Sequence, residues 1–299
     1  MAKGTKTTNA DADLFQSDSR GKEQRRTESK MIKFMSIASG SSGNCYYLSN
    51  GNQALLIDAG IPLRSISKAL KDHQLPIEGN VVGVLVTHDH ADHIRTIGCL
   101  GEKFHLPVFA TERVHNGINS SRYMDHLPLL SRRNILQEET FRLAGFDITA
   151  FPIPHDATEN VGYHITAPGF SFTLCTDVGH ITDTISHYAS KADYLVMEAN
   201  YDCEMLLSGP YPEFLKERVS GPNGHLSNQE TGDFLARTFH PGMKHVWLCH
   251  LSKDNNHPDL CWKSIEYRLF SEGIRVGKDM ELTVLKRTSP SSLYTLLED

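Results

Sequence analysis

The sequence predicts a layered α/β sandwich, and three observations support this fold class. Strand patterns occur near both ends of the folded part, which argues against one doubly wound parallel sheet. Helical patterns lie between and after these strands. Hydrophobic residues make up 39% and charged residues 22% of the 299 positions, an ordinary globular composition.

Short apolar runs bounded by turn signals predict the strands. The run 81–86 has no polar interruption, as expected of a strand covered on both faces. Asn50-Gly51 lies between two runs and is a strong hairpin signal. The predicted strands are 31–39, 45–48, 54–57, 81–86, 108–109, 141–151, 161–165, 170–175, 194–197, 245–248 and 282–285.

Helical spacing and capping residues predict the helices. Pro62 precedes the first helix, and Ser227 with Glu230 three residues later forms a capping-box pattern before another. The predicted helices are 63–71, 94–104, 111–118, 202–208, 213–219, 227–238 and 258–271.

The first 30 residues predict a disordered tail. They hold seven basic and five acidic residues and few apolar side chains, too few to offset the entropy of ordering. We therefore expect a tail at 1–30 and a hydrolase domain, argued for below, at 31–299.

Charge and cysteine usage limit the cellular setting. The chain has 30 Lys and Arg against 36 Asp and Glu, so a globally basic nucleic-acid footprint is excluded, although a local basic groove is not. The six cysteines form no C-x-x-C pair, and no signal-peptide pattern opens the chain. No apolar run reaches the roughly 18 residues of a membrane span. We expect a cytoplasmic protein with reduced thiols and no membrane partner.

Four potential metal ligands follow strand 81–86 within six residues: His88, His90, Asp92 and His93. In an extended segment leaving a strand, the first two project to the same side, and the others come around as a helix begins. Imidazole and carboxylate together suit zinc, with manganese or iron less favoured. One such histidine alone would indicate only a solvated loop, whereas the whole pattern after an apolar strand predicts a metal site.

Three further polar residues lie just beyond apolar runs, where α/β layers present functional groups. They are His155, Asp177 and His250.

Together these motifs resemble the metallo-β-lactamase-fold hydrolases over about residues 31–290. The resemblance implies a four-layer αββα sandwich and two divalent metal ions, zinc favoured, in two ligand groups bridged by Asp177. The first implied group is His88, His90 and His155. The second implied group is Asp92, His93 and His250. Asp58 in LLIDAG matches the early structural aspartate of the family.

A pair of residues outside the ligand groups, Glu198 and His225, indicates which kind of bond is cleaved. Glu198 follows strand 194–197, and His225 precedes helix 227–238 in Gly-His-Leu-Ser. The pair resembles the glutamate and histidine of transfer-RNA-processing ribonuclease Z and related phosphodiesterases, where the histidine, held by the carboxylate, stabilises or protonates an oxygen of the scissile phosphate. The structural alternative is that His225 caps the loop while Glu198 pairs with a nearby base.

Longer collinear segments resemble the YycJ/WalJ group of bacterial metallo-hydrolases, thought to act as DNA exonucleases. The matching segments are SIASGSSGNCYYL, THDHADH, EANYD, YPEFLKERVSGPNGHLSNQETG and LCHLSKDNN. The resemblance implies a metal-dependent phosphodiesterase acting on nucleic acid, DNA favoured over RNA. It implies attack on phosphorus by a hydroxide shared by both ions, with His225, Glu198 and Asp92 as catalytic residues and His225 assisting the leaving oxygen.

Two alternative functions stay open at this point. One is an enzyme acting on a small cyclic or nucleotide phosphodiester or on a thioester. The other, least favoured because every ligand position is filled, is a non-catalytic scaffold.

Possible phosphate-binding segments are also ambiguous in sequence. The loop 39–44 is either a phosphate-wrapping loop or a tight turn. Several basic residues form either a phosphate-binding rim or solvated surface: Lys216, Arg218, Lys253, Arg132 and Arg133.

Overall fold

The computed structural model describes Met1, residues 31–122 and residues 126–297. The tail predicted at 1–30 lies, Met1 apart, outside the described residues. The strands are β1 (Ile32–Ala38), β2 (Cys45–Ser49), β3 (Ala54–Ile57), β4 (Val81–Leu85), β5 (Val108–Ala110), β6 (Arg132–Asn134), β7 (Thr140–Leu143), β8 (Phe146–Pro152), β9 (Val161–Ala167), β10 (Phe170–Cys175), β11 (Tyr194–Glu198), β12 (His245–Cys249), β13 (Glu281–Val284) and β14 (Tyr294–Leu297). The α-helices are α1 (Leu63–Asp72), α2 (Ala91–Ile94), α3 (Ile97–Phe104), α4 (Glu112–Ser120), α5 (Asp183–Ala189), α6 (Cys203–Ser208), α7 (Glu213–Ser220), α8 (Asn228–Thr238) and α9 (Pro258–Ser271).

The strands form two seven-stranded sheets. The first has the order β14-β1-β2-β3-β4-β5-β6, and the second has the order β13-β12-β11-β10-β9-β8-β7. In the first sheet, β3 to β6 run parallel; in the second, β10 to β13 do. The remaining pairs are antiparallel.

Three apolar layers separate four layers of backbone, which confirms the αββα sandwich. Between the sheets, the Phe34 ring lies 5.2 Å from Phe172 and 4.7 Å from Trp247, centroid to centroid. Outer apolar layers pack the first sheet against α1, α3 and α4, and the second against α5, α8 and α9. Each large apolar side chain so buried stabilises the fold by about 1.5–3 kcal/mol.

The parallel strands carry the polar residues of interest at one edge of the sandwich. In the first sheet, Asp58 follows β3 and His88 follows β4. In the second, Asp177 follows β10, Glu198 ends β11 and His250 follows β12. Because carboxyl ends of parallel strands meet at a common edge, residues far apart in sequence converge there.

Three details differ from the predicted elements. The strand predicted at 141–151 is the hairpin β7–β8, because Ala144 and Gly145 adopt φ values of 52° and 74°, the paired positive angles of a tight hairpin turn. The helix predicted at 94–104 is divided into α2 and α3. Helix α5 and strands β6 and β14 were not predicted.

None of the helices in the described part is both long and apolar enough for a membrane crossing.

Candidate metal centre

The first predicted ligand group comes together in space. The ring centroids of His88, His90 and His155 lie 4.7, 5.0 and 5.2 Å apart in pairs. One possible ligand atom from each lies within 4.8 Å of the others. Residues 67 positions apart in sequence, from His88 to His155, thus form one cluster.

Hydrogen bonds fix which ring nitrogen of His88 and His155 faces the cluster. The Thr87 hydroxyl donates to Asp58 Oδ2 at 2.9 Å, so it accepts from His88 Nδ1–H at 3.0 Å. His155 Nδ1–H donates to the Gly224 carbonyl at 3.0 Å. Each Nε2 therefore carries a lone pair, as a metal ligand requires.

Both of these Nε2 atoms are buried and have no hydrogen-bond partner among the described residues. A buried acceptor without a partner costs free energy, which a bound cation would recover. Burial and the neighbouring His93 lower the pKa of His88 well below its usual value, so the ring is neutral. These observations fit a divalent ion held by imidazole nitrogens.

His90, the third member of this group, makes its hydrogen bond through Nε2, whereas His88 and His155 make theirs through Nδ1. Its Nε2 lies 3.3 Å from the Asp156 carbonyl, which can accept a hydrogen bond from it. This arrangement leaves Nδ1 of His90 as the available ligand atom.

The second predicted group also comes together. Asp92 Oδ2 lies 3.6 Å from His93 Nε2 and 3.4 Å from His250 Nε2. His93 Nδ1–H donates to Asp58 Oδ2 at 2.8 Å, so the early aspartate orients a ligand rather than serving as one. Burial opposes a charged imidazole, yet the carboxylates of Asp177 and Asp58 raise the pKa of His93 well above its usual value.

Asp177 lies between the two groups. Its Oδ2 is 3.3 Å from His93 Nε2, and its Oδ1 is 3.7 Å from His155 Nε2. Burial would raise the pKa of this carboxyl, but the surrounding imidazoles of His250 and His93 lower it well below its usual value. The buried carboxylate is therefore ionised and faces ligands of both groups.

Three residues of this edge adopt left-handed backbone conformations: Asp58 (φ 57°), Asp177 (φ 55°) and His250 (φ 54°). Such angles are uncommon outside glycine and cost free energy that the surrounding structure must offset. The strain lets each side chain turn back toward the cluster at the end of its strand.

The predicted Glu198–His225 pair is present. Glu198 Oε1 accepts from His225 Nδ1–H at 2.8 Å and from His250 Nδ1–H at 3.0 Å. Its Oε2 accepts from the backbone N–H groups of Val178 and Leu226 at 2.8 and 3.1 Å. Burial alone would raise its pKa, but the nearby His225 and the hydrogen bonds from His225 and His250 lower the pKa of Glu198 to about 2.

The His225 ring lies close to a histidine of each ligand group. Its ring centroid is 5.0 Å from that of His155 and 5.3 Å from that of His250. Because Nδ1–H is engaged by Glu198, Nε2 is the nitrogen left for a bound molecule, and 16% of the side chain is exposed.

Sequence reasoning missed two neighbours of the centre. Asn44 Nδ2 lies 2.9 Å from His93 Nε2 and 3.4 Å from Asp92 Oδ2. Asp156 Oδ1 lies 3.4 Å from His155 Nε2 and its other oxygen accepts from Arg218 Nε at 2.6 Å. Adjacency of Asp156 to a predicted ligand was a usable signal, but nothing local singles out Asn44 within its loop.

The basic residues that the sequence suggested as a phosphate-binding rim do not lie together in the structure. Arg218 is beside the first group through Asp156, whereas Lys216 donates to the Leu207 carbonyl. Arg132 and Arg133 lie on β6, two strands from β4, and donate to backbone carbonyls. The last two therefore stand apart from the candidate centre.

Proteins with known family assignments are similar to this chain in sequence. Residues 53–250 match the family model described as the beta-lactamase superfamily domain. The chain is 32% identical to exodeoxyribonuclease WalJ of Streptococcus pneumoniae, covering 89% of this chain and 98% of the relative. It is also 32% identical to exodeoxyribonuclease YycJ of Bacillus anthracis, with 84% and 94% covered.

A solved structure supports the fold alone. The zinc-bound PqqB of Methylobacterium extorquens superposes with a TM-score of 0.66 at 18% identity, covering 87% of this chain and 99% of that one. The chain therefore belongs to the beta-lactamase superfamily and, within it, to the WalJ/YycJ group of metallo-hydrolases.

Proposed function

We propose that this chain is a metal-dependent phosphodiesterase that degrades DNA as an exonuclease. The observation that carries the proposal is the Glu198–His225 pair placed over two groups of metal-ligating residues. The names of the WalJ and YycJ relatives support DNA over RNA as the substrate.

The residues that would hold two divalent ions, zinc favoured, are proposed as follows. His88, His90 and His155 would hold one ion, Asp92, His93 and His250 would hold the other, and Asp177, which faces both groups, would serve both. Bound ions of this kind provide a nucleophilic hydroxide at neutral pH and stabilise negative charge on a phosphate. The nitrogen and oxygen donors and the buried lone pairs of His88 and His155 favour this ligand set.

His225 has the proposed role of proton donor to the leaving oxygen. Glu198 accepts its Nδ1–H, which orients the ring so that Nε2 faces the substrate and can transfer a proton to it. Phosphodiester cleavage expels an alkoxide, and protonation by a positioned acid accelerates such a step by roughly 10²–10⁴.

The same proposal covers the organisation of the chain. Residues 31–299 are proposed to act as one hydrolase domain in the cytoplasm. The apolar layer between the sheets supports this unit, because it joins β1 near the start of the described chain to β12 near its end through Phe34 and Trp247.

The direct test is a substrate panel with metal-loaded protein: linear duplex DNA, RNA, bis(p-nitrophenyl) phosphate and a glutathione thioester. We expect DNA and the small diester to be cleaved, and His225→Ala to lower kcat at least 100-fold on DNA. His187→Ala, an exposed histidine of α5, is the matched control and should retain activity. Preference for the thioester, or equal kcat for His225→Ala and the control, would contradict the proposal.

A further inference from the structure

We propose that Arg287 and the turn at Ser41–Ser42 form a phosphate subsite that holds the substrate strand one phosphate away from the bond being cleaved. The inference rests on the proposed function, because it concerns a second phosphate of the same polynucleotide. It assigns to this enzyme a preference for chains over small diesters.

The sheet topology places Arg287 at the edge that carries the metal centre. Asp177 and His250 follow the carboxyl ends of β10 and β12, Glu198 ends β11, and β13 is the next parallel strand in the sheet. Arg287 follows the carboxyl end of β13. Neighbouring strands lie about 4.8 Å apart, so this segment is one strand from the one that delivers His250.

The Arg287 guanidinium is held in place but is not neutralised. Its Nη1 donates to the Ser252 carbonyl at 2.9 Å, two residues beyond His250, and the side chain is half-buried. Within the described ranges, no carboxylate oxygen lies within 4.0 Å of its nitrogens. Four other arginines do have such partners: Arg113, Arg142, Arg218 and Arg268. A guanidinium has five N–H donors, so most of those of Arg287 stay available to an anion.

The turn beside it presents backbone donors. Gly43 N–H donates to the Gly40 carbonyl at 2.8 Å, which closes the turn and leaves Ser41 and Ser42 at its exposed tip. Their N–H groups and hydroxyls have no protein partner in the part of the chain that the structure describes. Adjacent free N–H groups of this kind form anion-binding concavities.

The turn and Arg287 are in contact. A Cβ on Gly40 would lie 3.0 Å from Arg287 Cγ, so the absence of a side chain lets the turn rest against the arginine stem. Both ends of the loop are tied to the second ligand group. Ser39 Oγ accepts from His250 N–H at 2.9 Å, and Asn44 Nδ2 lies 2.9 Å from His93 Nε2.

These contacts suggest how a strand is held. A phosphate at the ligand groups would have its neighbour along the backbone over the Ser41–Ser42 tip and Arg287. Lys253, the residue after Ser252, is exposed. A diester with a single phosphate cannot occupy both places, so only longer substrates gain binding energy here.

Arg287→Ala in the metal-loaded full chain tests the subsite. We expect KM for a 20-nucleotide DNA to rise at least tenfold with kcat within twofold, and kcat/KM for bis(p-nitrophenyl) phosphate to stay within twofold. The slope of log KM against log salt should fall by about 0.7–0.9, the contribution of one phosphate contact. Arg275→Ala is the matched control, because this exposed arginine precedes β13 at its opposite end.

Arg287→Lys keeps the charge but loses the planar fork, so an intermediate increase in KM is expected, and it replaces the alanine variant if that one fails to fold. An unchanged KM for DNA in the folded arginine variant, relative to Arg275→Ala, would overturn the subsite. Equal loss on DNA and on the small diester would also overturn it. Failure of the proposed function is distinguishable, because then the unaltered protein would cleave neither substrate.

Discussion

Replacing Glu198 by glutamine probes the hydrogen bonds that orient both His225 and His250. The buried carboxylate accepts from both imidazole Nδ1–H groups, at 2.8 and 3.0 Å, and from the two backbone N–H groups of Val178 and Leu226. A glutamine of the same shape offers one accepting oxygen and one donating nitrogen. It cannot satisfy four donors.

The backbone donors decide which way the new amide points. Because backbone N–H groups cannot change, the glutamine oxygen must face Val178 and Leu226, and its NH₂ must face the histidines. Each histidine then has to place its lone pair on Nδ1 and its proton on Nε2. In His250, Nε2 is the atom that lies 3.4 Å from Asp92 Oδ2 and is the proposed ligand atom.

We expect Glu198→Gln to weaken metal binding about 10–100-fold, the usual effect of losing a group that orients a ligand. At saturating metal, kcat should still fall by roughly 10²–10⁴, because His225 loses the carboxylate that orients its ring for proton transfer. Chelator competition measures the first effect, and hydrolysis of bis(p-nitrophenyl) phosphate measures the second.

Glu230→Gln is the matched control for this experiment. Glu230 belongs to the capping box of α8, where glutamine is an acceptable replacement, so metal affinity and kcat should be unchanged. Metal affinity within twofold and kcat within threefold of the unaltered protein for Glu198→Gln would refute the reasoning.

Three further predictions follow from single residues. Asp177→Asn should reduce bound metal from two equivalents to one or fewer in elemental analysis, because its carboxylate faces both groups; two retained equivalents would contradict this. Gly60→Ala should lower the free energy of unfolding by about 2–3 kcal/mol in urea, since a Cβ would lie 1.6 Å from the Asp92 carbonyl oxygen; a loss below about 0.5 kcal/mol would oppose it. Burial lowers the pKa of His245 to about 4, below the usual 6.5, so the contribution of His245 to stability should be constant above pH 6.5 and fall as pH drops toward 4. His245 is partly exposed, so only part of the shift counts, and His245→Gln should remove about 1–2 kcal/mol of this pH dependence of the free energy of unfolding, measured by urea titration. An unchanged pH profile would contradict this prediction.

The convergence of the candidate ligands was largely predictable because they lie just beyond the ends of recognisable apolar runs. The strand before His88 and the strand before His250 are both continuous and buried, so their ends could be located from hydrophobicity alone. The hairpin at Asn50-Gly51 was also predicted and is confirmed by the antiparallel pairing of β2 and β3. Strong local patterns of this kind survive the influence of tertiary structure.

Features that depend on distant contacts could not be predicted. Strand β14 is only four residues long and is defined by pairing with β1, more than 250 positions earlier. Asn44 contacts the second ligand group because a hydrogen bond from Gly40 N–H to Asn44 Oδ1 folds the loop back. The hairpin within 141–151 required two positive φ angles, one of them at an alanine, which no local pattern indicates.

The most direct test of the central claim is a crystal structure of the zinc-loaded chain with anomalous scattering recorded at the zinc edge. We predict two peaks, one within His88, His90 and His155 and one within Asp92, His93 and His250, with Asp177 between them. A single peak, or peaks outside these side chains, would contradict it.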